Sequence, residues 1–256
     1  MSRDTAAWER LLESMRVFFR AVPPAAGGGR VVESGGVIAC VTPSVPDRSI
    51  ANSVVYEREE DVIGSLQRLE ALYDEAGVLA WTVWVPEYHE RARAALAGAG
   101  NVLDANPTAM IADLRDVEEP RDADPEPDPA PLAEDLGAIN DQAYGTGDAF
   151  QRLLGGGGRL EPEHVYIARE GGRPVASVVT QDHAGDCSVW WVAVVPDARG
   201  RGLAAGLMRR ALAQGRDRGC EVTTLQATKA GRPTYERLGY RALGAIEMWE
   251  RRKPPT

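Results

Sequence analysis

The stretch Val192-Ala-Val-Val-Pro-Asp-Ala-Arg-Gly-Arg-Gly-Leu-Ala-Ala205 has the residue types and spacing of an anion site. An apolar strand runs into a proline turn, a glycine-containing loop and then helix-forming residues. The first turn of a helix leaves backbone N–H groups without partners, and the helix dipole adds positive potential there. Gly200 and Gly202 lack Cβ atoms, so a pyrophosphate could approach the backbone closely. Arg199 and Arg201 add charge beside it. Glycines between a strand and a helix can also make no more than a tight loop. The dinucleotide pattern G-x-G-x-x-G is not met, because position 205 is Ala and no acidic residue follows at the expected spacing. A Walker loop is excluded, since no Gly-Lys-Ser/Thr follows. Cys40, Cys187 and Cys220 are too scattered for a disulfide framework or zinc cluster, and His89, His164 and His183 have no metal-ligand spacing, so no metal is expected.

These residues need a scaffold, and 256 residues with 44% apolar content suffice for two α/β units. The net charge of −9 disfavours a nucleic-acid partner, which needs clustered Lys and Arg. That charge is unevenly spread. Residues 116–131 hold seven acids against Arg121 and contain five prolines, which reads as a self-repelling, solvated interdomain linker. Residues 196–256 hold 13 basic and 6 acidic side chains, so the segment with the glycine loop is basic. Trp8, Leu11, Leu12, Met15, Phe18 and Phe19 recur at helical spacing, broken by charges too often for a signal or membrane segment. A soluble, cytoplasmic protein with reduced thiols is expected.

Before the linker, the pattern predicts a strand over 31–41, a helix over 60–75, a strand over 78–85, a short helix over 89–96 and strands within 102–114. After it come helices over 133–143 and 148–154, the latter ended by Gly155–Gly158, and strands over 165–169 and 175–181. A buried strand over 188–195 precedes a helix over 202–218, for which Gly219 is the natural stop. A strand over 221–227, a short helix over 232–238 and a strand over 242–250 complete the chain. The expected class is α/β, a central twisted mixed sheet with helices on both faces.

Arg199-Gly-Arg-Gly-Leu-Ala204, with Val194-Val195-Pro196 before it, resembles the R/Q-x-x-G-x-G/A signature and V-x-P approach of the GNAT superfamily of acyl-CoA-dependent N-acyltransferases. Thr234-Tyr-Glu-Arg-Leu-Gly-Tyr240 is similar to that family's Y-x-x-L-G-F/Y segment. The resemblance runs from near Ala133 to the C-terminus. It implies acetyl-CoA as co-substrate and an amine acceptor, with the backbone of Val192, Ala193 and Val194 bonding the pantetheine arm. Arg199, Gly200, Arg201, Gly202, Leu203 and Ala204 would hold the pyrophosphate, and a splay beside the V-x-P strand would admit the arm. Tyr235 takes the place of the tyrosine that protonates the departing thiolate; a tyrosine that merely packs against the cofactor is the alternative. General acid help of this type gives roughly 10²–10⁴ in rate. A non-catalytic acyl-CoA-binding protein and a protein or peptide N-acetyltransferase are the other readings, as monomer or homodimer.

Two positions depart from the family. Where many members carry a glutamate as general base this chain has Trp190, and Thr228 stands where many have asparagine, still able to hydrogen-bond the cofactor. A base matters, because freeing a lysine-like amine at pH 7 costs roughly 4.6 kcal/mol. Asp182, His183 and Asp186 are candidates, with surface turn positions as the default, and a weakly basic aromatic amine would need no strong base. Alternation puts Trp190 and Trp191 on opposite faces of their strand. Residues 1–115 look like a degenerate GNAT half, with Pro86 against Pro196 but none of the glycines, joined through 116–131 to the transferase half, 132–256.

Overall fold

In the computed structural model, which describes residues 3–25, 28–154 and 163–253, the first helix is α1 (Arg3–Ala25). Trp8, Leu11, Met15, Phe18, Phe19 and Val22 form a stripe across one face of the sheet. The expected first strand is a hairpin, β1 (Arg30–Ser34) and β2 (Val37–Val41). Its turn residues Gly35 and Gly36 have φ of 57° and 74°, values that a Cβ disfavours. A four-residue strand, β3 (Ser53–Tyr56), comes next; it is too short for its alternation to stand out in the sequence. The expected long helix is broken at Gly64-Ser65 into α2 (Glu59–Ile63) and α3 (Leu66–Glu75). Then come β4 (Ala80–Pro86), α4 (Glu90–Gly98), β5 (Val102–Ala105) and β6 (Thr108–Asp113).

Beyond the linker lie α5 (Ala133–Tyr144), α6 (Ala149–Leu154), β7 (Glu163–Glu170), β8 (Arg173–His183) and β9 (Asp186–Val194). The chain ends with α7 (Leu203–Asp217), β10 (Val222–Ala227), α8 (Arg232–Arg237) and β11 (Arg241–Arg252). The Gly155–Gly158 helix stop lies outside the described residues. All these strands join one mixed sheet, in the order β1-β2-β3-β4-β11-β6-β10-β9-β8-β7, with β5 paired to β11. Among the described residues, no helix is long and apolar enough to cross a membrane.

The halves exchange their last strands. Each contains a parallel pair joined through helices: β3 with β4, and β9 with β10. Yet β4 pairs with β11 of the second half, from Ile246–Pro86 to Arg252–Ala80. Conversely, β10 pairs with β6 of the first half, from Val222–Asp113 to Ala227–Thr108. The chain passes between halves at 116–131, but the sheet is shared across that passage. The topology also corrects the placing of Pro86 against Pro196. The counterpart of β9 is β3, not β4, because β3 is the strand that leads through α2 and α3 to its parallel neighbour.

The acidic run is largely exposed, as a spacer would be, but several of its acids are tied down. Asp124 is buried against α7, where its carboxylate pairs with Arg209, while Glu119 meets Arg216 and Glu126 meets Arg210. Asp128 pairs with Arg169 on β7. The self-repulsion expected from composition is offset by a row of arginines distant in sequence. Gly206 lets this strap lie close, since a Cβ there would come 2.6 Å from Pro125 Cδ.

Candidate active site

The site grows from the way β9 leaves β10. The two strands pair at Asp186–Val222 and then part. At the parting, side chains replace ladder bonds. Thr223 Oγ1 donates to the Cys187 carbonyl at 2.7 Å, so the buried Tyr240 hydroxyl donates to Thr223, also at 2.7 Å. The Asp186 carboxylate accepts Ser14 Oγ from α1 and Thr224 Oγ1 from β10, both at 2.6 Å. Its other oxygen is buried without a hydrogen-bond partner. Burial pushes the Asp186 carboxyl up to about 6, against the lowering effect of those two hydroxyls.

Further along, β9 carries a bulge. Trp191 and Val192 stand opposite the single residue Val178 of β8, and Trp191 has φ of 47°. This overturns the expected alternation. Trp190 stacks on Phe18 of α1 with centroids 3.7 Å apart and planes 1° apart, and Trp191 meets the same ring edge-on at 5.4 Å. Both indoles therefore reach one face.

Past the bulge, Val195 N–H donates to the Val175 carbonyl. By the two-residue period, Ala193 bonds toward β8 and Val194 turns its backbone groups to the side where β10 has departed. The carbonyls on that side are held by side chains. Tyr144 Oη donates to Val192 O at 2.9 Å, and Arg199 Nε donates to Val194 O at 3.2 Å.

The loop then delivers α7. Gly200 and Gly202 both have φ of 78°, and a Cβ on either would meet nothing within 4 Å. No side chain caps the first turn of α7, which begins at Leu203 and Ala204. The result is an open anion cradle of backbone N–H groups. The arginines are placed differently from the expectation. Arg199 is turned back to Val194 O and to the Ala143 carbonyl at 2.7 Å. Arg201 pairs with Glu170 at 2.8 Å and donates to Asp197 O.

Tyr235 sits on α8, half-buried, edge-on to Tyr240 at 5.9 Å. Burial, and to a lesser degree the nearby Tyr144 phenol, hold its pKa above the usual tyrosine range. Thr228 Oγ1 accepts the Gly231 N–H at 3.1 Å and so starts α8 rather than facing the cleft alone. Of the base candidates, Asp182 is bound by Arg218 and kept below the ordinary carboxylate range, largely by that hydrogen bond against its burial. His183 stands 3.8 Å from Glu13 at the hairpin. Asp186 is fully buried, not a surface turn residue. Tyr144 was not legible as a site residue: an exposed aromatic at a helix end carries no spacing signal.

Fold and site define a class. Residues 161–242 match the family model of the acetyltransferase (GNAT) domain. The match covers that segment of the chain, and the mixed sheet around it is that of the GNAT fold. The chain is similar over 96% of its length to 95% of a GCN5-related N-acetyltransferase from Kribbella flavida, at 17% identity and a TM-score of 0.66. A GCN5-related N-acetyltransferase from Sphaerobacter thermophilus matches over 87% of this chain and 82% of that one, at 18% identity and a TM-score of 0.56. A tandem GNAT protein from the clavulanic acid biosynthesis pathway matches over 97% and 96%, at 13% identity and a TM-score of 0.56. At these identities the likeness is one of fold. No curated protein matches the sequence.

Proposed function

We propose that the chain transfers the acetyl group of acetyl-CoA to the amine of a small molecule, which attacks the thioester directly. The observation that carries this is the open N-terminus of α7, with Gly200 and Gly202 leaving room at the backbone, next to a strand splay where Tyr144 holds the Val192 carbonyl and Tyr235 lies near Tyr144. The α7 N–H groups and dipole would hold the pyrophosphate. The splay-facing groups of Val192 and Val194 would hold the pantetheine arm, with Ala193 anchoring the strand to β8. Bound acetyl-CoA would supply the activated acyl group. Cys40, Cys187 and Cys220 are all buried, which supports direct attack over an acyl-cysteine.

Tyr235 is protonated throughout the neutral range, and its burial disfavours a lasting tyrosinate. It therefore serves as hydrogen-bond donor and proton source to the departing thiolate. Trp190, held under Phe18 where many GNAT members carry a base, gives support to a second reading, acyl-CoA binding without turnover. Free thiol released from acetyl-CoA across aliphatic amines, aromatic amines, aminoglycosides and peptides separates the two. Transfer predicts release with at least one amine, reduced about 10²–10⁴-fold in Tyr235→Phe with CoA affinity retained. Tight CoA binding with no release on any acceptor would sink the transferase reading.

A further inference from the structure

The carbonyl of Val192 lies at the β9 bulge, where the departure of β10 has removed the neighbour that would supply an N–H donor. Such an acceptor must find another donor. In this chain it is Tyr144 Oη, 2.9 Å away. Tyr144 is the last residue of α5, and three features aim it. Gly145 takes φ of 65° and ends the helix there, Arg199 holds the neighbouring Ala143 carbonyl, and the Tyr144 ring lies over Phe150 at 5.9 Å. Yet Tyr144 as a whole is 49% exposed, so its hydroxyl can leave the carbonyl for water without stranding a buried group.

We propose that Tyr144 is a placeholder: its hydroxyl occupies the Val192 carbonyl until an amide N–H of a pantetheine arm takes that position. This rests on the reading that the splay admits acyl-CoA. The exchange breaks one neutral O–H···O bond and forms one N–H···O bond, and the freed hydroxyl turns to solvent beside Tyr235. Tyr144 is thus a positioning residue that competes with the ligand, setting affinity for the arm and not for the nucleotide end.

The competition gives a signature that a structural role does not. Tyr144→Phe keeps the ring over Phe150 and removes only the competing donor. Calorimetric titration with CoA and with ADP 3′-phosphate, which lacks the arm, separates the two ends of the site. The expectation is CoA binding about 2–12-fold tighter in Tyr144→Phe, the range that loss of one net hydrogen bond covers, with ADP 3′-phosphate affinity unchanged. Equal or weaker CoA binding in the variant, or an equal change for both ligands, overturns the proposal while leaving the acyl-CoA reading intact. A wild-type chain that binds neither ligand overturns both. An unchanged melting temperature in Tyr144→Phe shows that the comparison is made between two folded chains.

Discussion

The two parallel pairs of this molecule share a backbone plan and differ in the segment that leaves the first strand. After β9 the chain reads Asp197-Ala-Arg-Gly-Arg-Gly202 and enters α7 through two glycines at positive φ, with the helix N-terminus open. After β3 it reads Glu57-Arg-Glu-Glu-Asp61, and α2 begins with Glu59, Glu60 and Asp61 in its first turn. Those carboxylates already complement the helix dipole, and they would repel a phosphate. The closed ends of the pairs differ as well. Ser53 pairs with Thr82 and accepts the Trp84 indole N–H, whereas Asp186 pairs with Val222 and places a carboxylate in the interior. Even the clefts differ. Where β3 and β4 part, Tyr56 Oη lies 2.8 Å from His89 Nδ1, and Leu12 and Met15 of α1 close the space. One fold thus leaves an uncapped, glycine-lined helix start in one half only, because that feature depends on a few residues at the helix start and not on the sheet.

The contrast can be broken most severely at Gly202. Gly202→Val would force a β-branched residue into a left-handed conformation and fill the cradle. CoA affinity by calorimetry should fall about 10²-fold, combining backbone strain with lost access. A valine variant that binds CoA normally would show that the cradle is not the nucleotide site.

The next largest effect concerns the closed end. Asp186 binds its proton more tightly folded than unfolded, so between about pH 4 and 6 the native state holds more protons. Its contribution to stability is therefore full below pH 4 and lost as pH rises through about 6. Asp186→Asn keeps an oxygen to accept from Ser14 and Thr224 and removes the buried charge. It should be more stable than wild type at pH 8, by on the order of 2–3 kcal/mol, and equal to it near pH 4. Denaturant midpoints at the two pH values test this, and an equal offset at both would refute the role of the charge.

The smallest effect is expected in the acidic first turn of α2. Glu60→Gln removes an exposed pair with Arg91, which should change stability by less than about 0.5 kcal/mol and leave CoA affinity within about two-fold. A marked gain of CoA binding there would mean that the first half retains a latent nucleotide site, and would undo the contrast.

Much of this was legible in the sequence, and the reason is locality. The glycine loop, α7 and its stop at Gly219 depend on residues a few positions apart, where dihedral preference and helix periodicity act. The segment Thr234–Tyr240 was legible for the same reason. The exchange of β6 and β11 was not, because an apolar strand carries no mark of which neighbour it will choose. Nor was the bulge at Trp191, which is set by register against β8 and by packing on Phe18 from a helix more than 170 positions away in the chain.

The sequence alone therefore determined that an α/β chain presents a glycine-lined helix start able to hold an anion, with a tyrosine-bearing helix after the next strand. Tertiary structure alone decided what surrounds that start. It turned Arg199 and Arg201 toward carbonyls and Glu170, laid the acidic strap on α7, buried Asp186 and brought Tyr144 to the Val192 carbonyl. Those outcomes depend on which distant groups offer the nearest partner once water is excluded. A side chain's own identity leaves that choice open, and only the packed chain makes it.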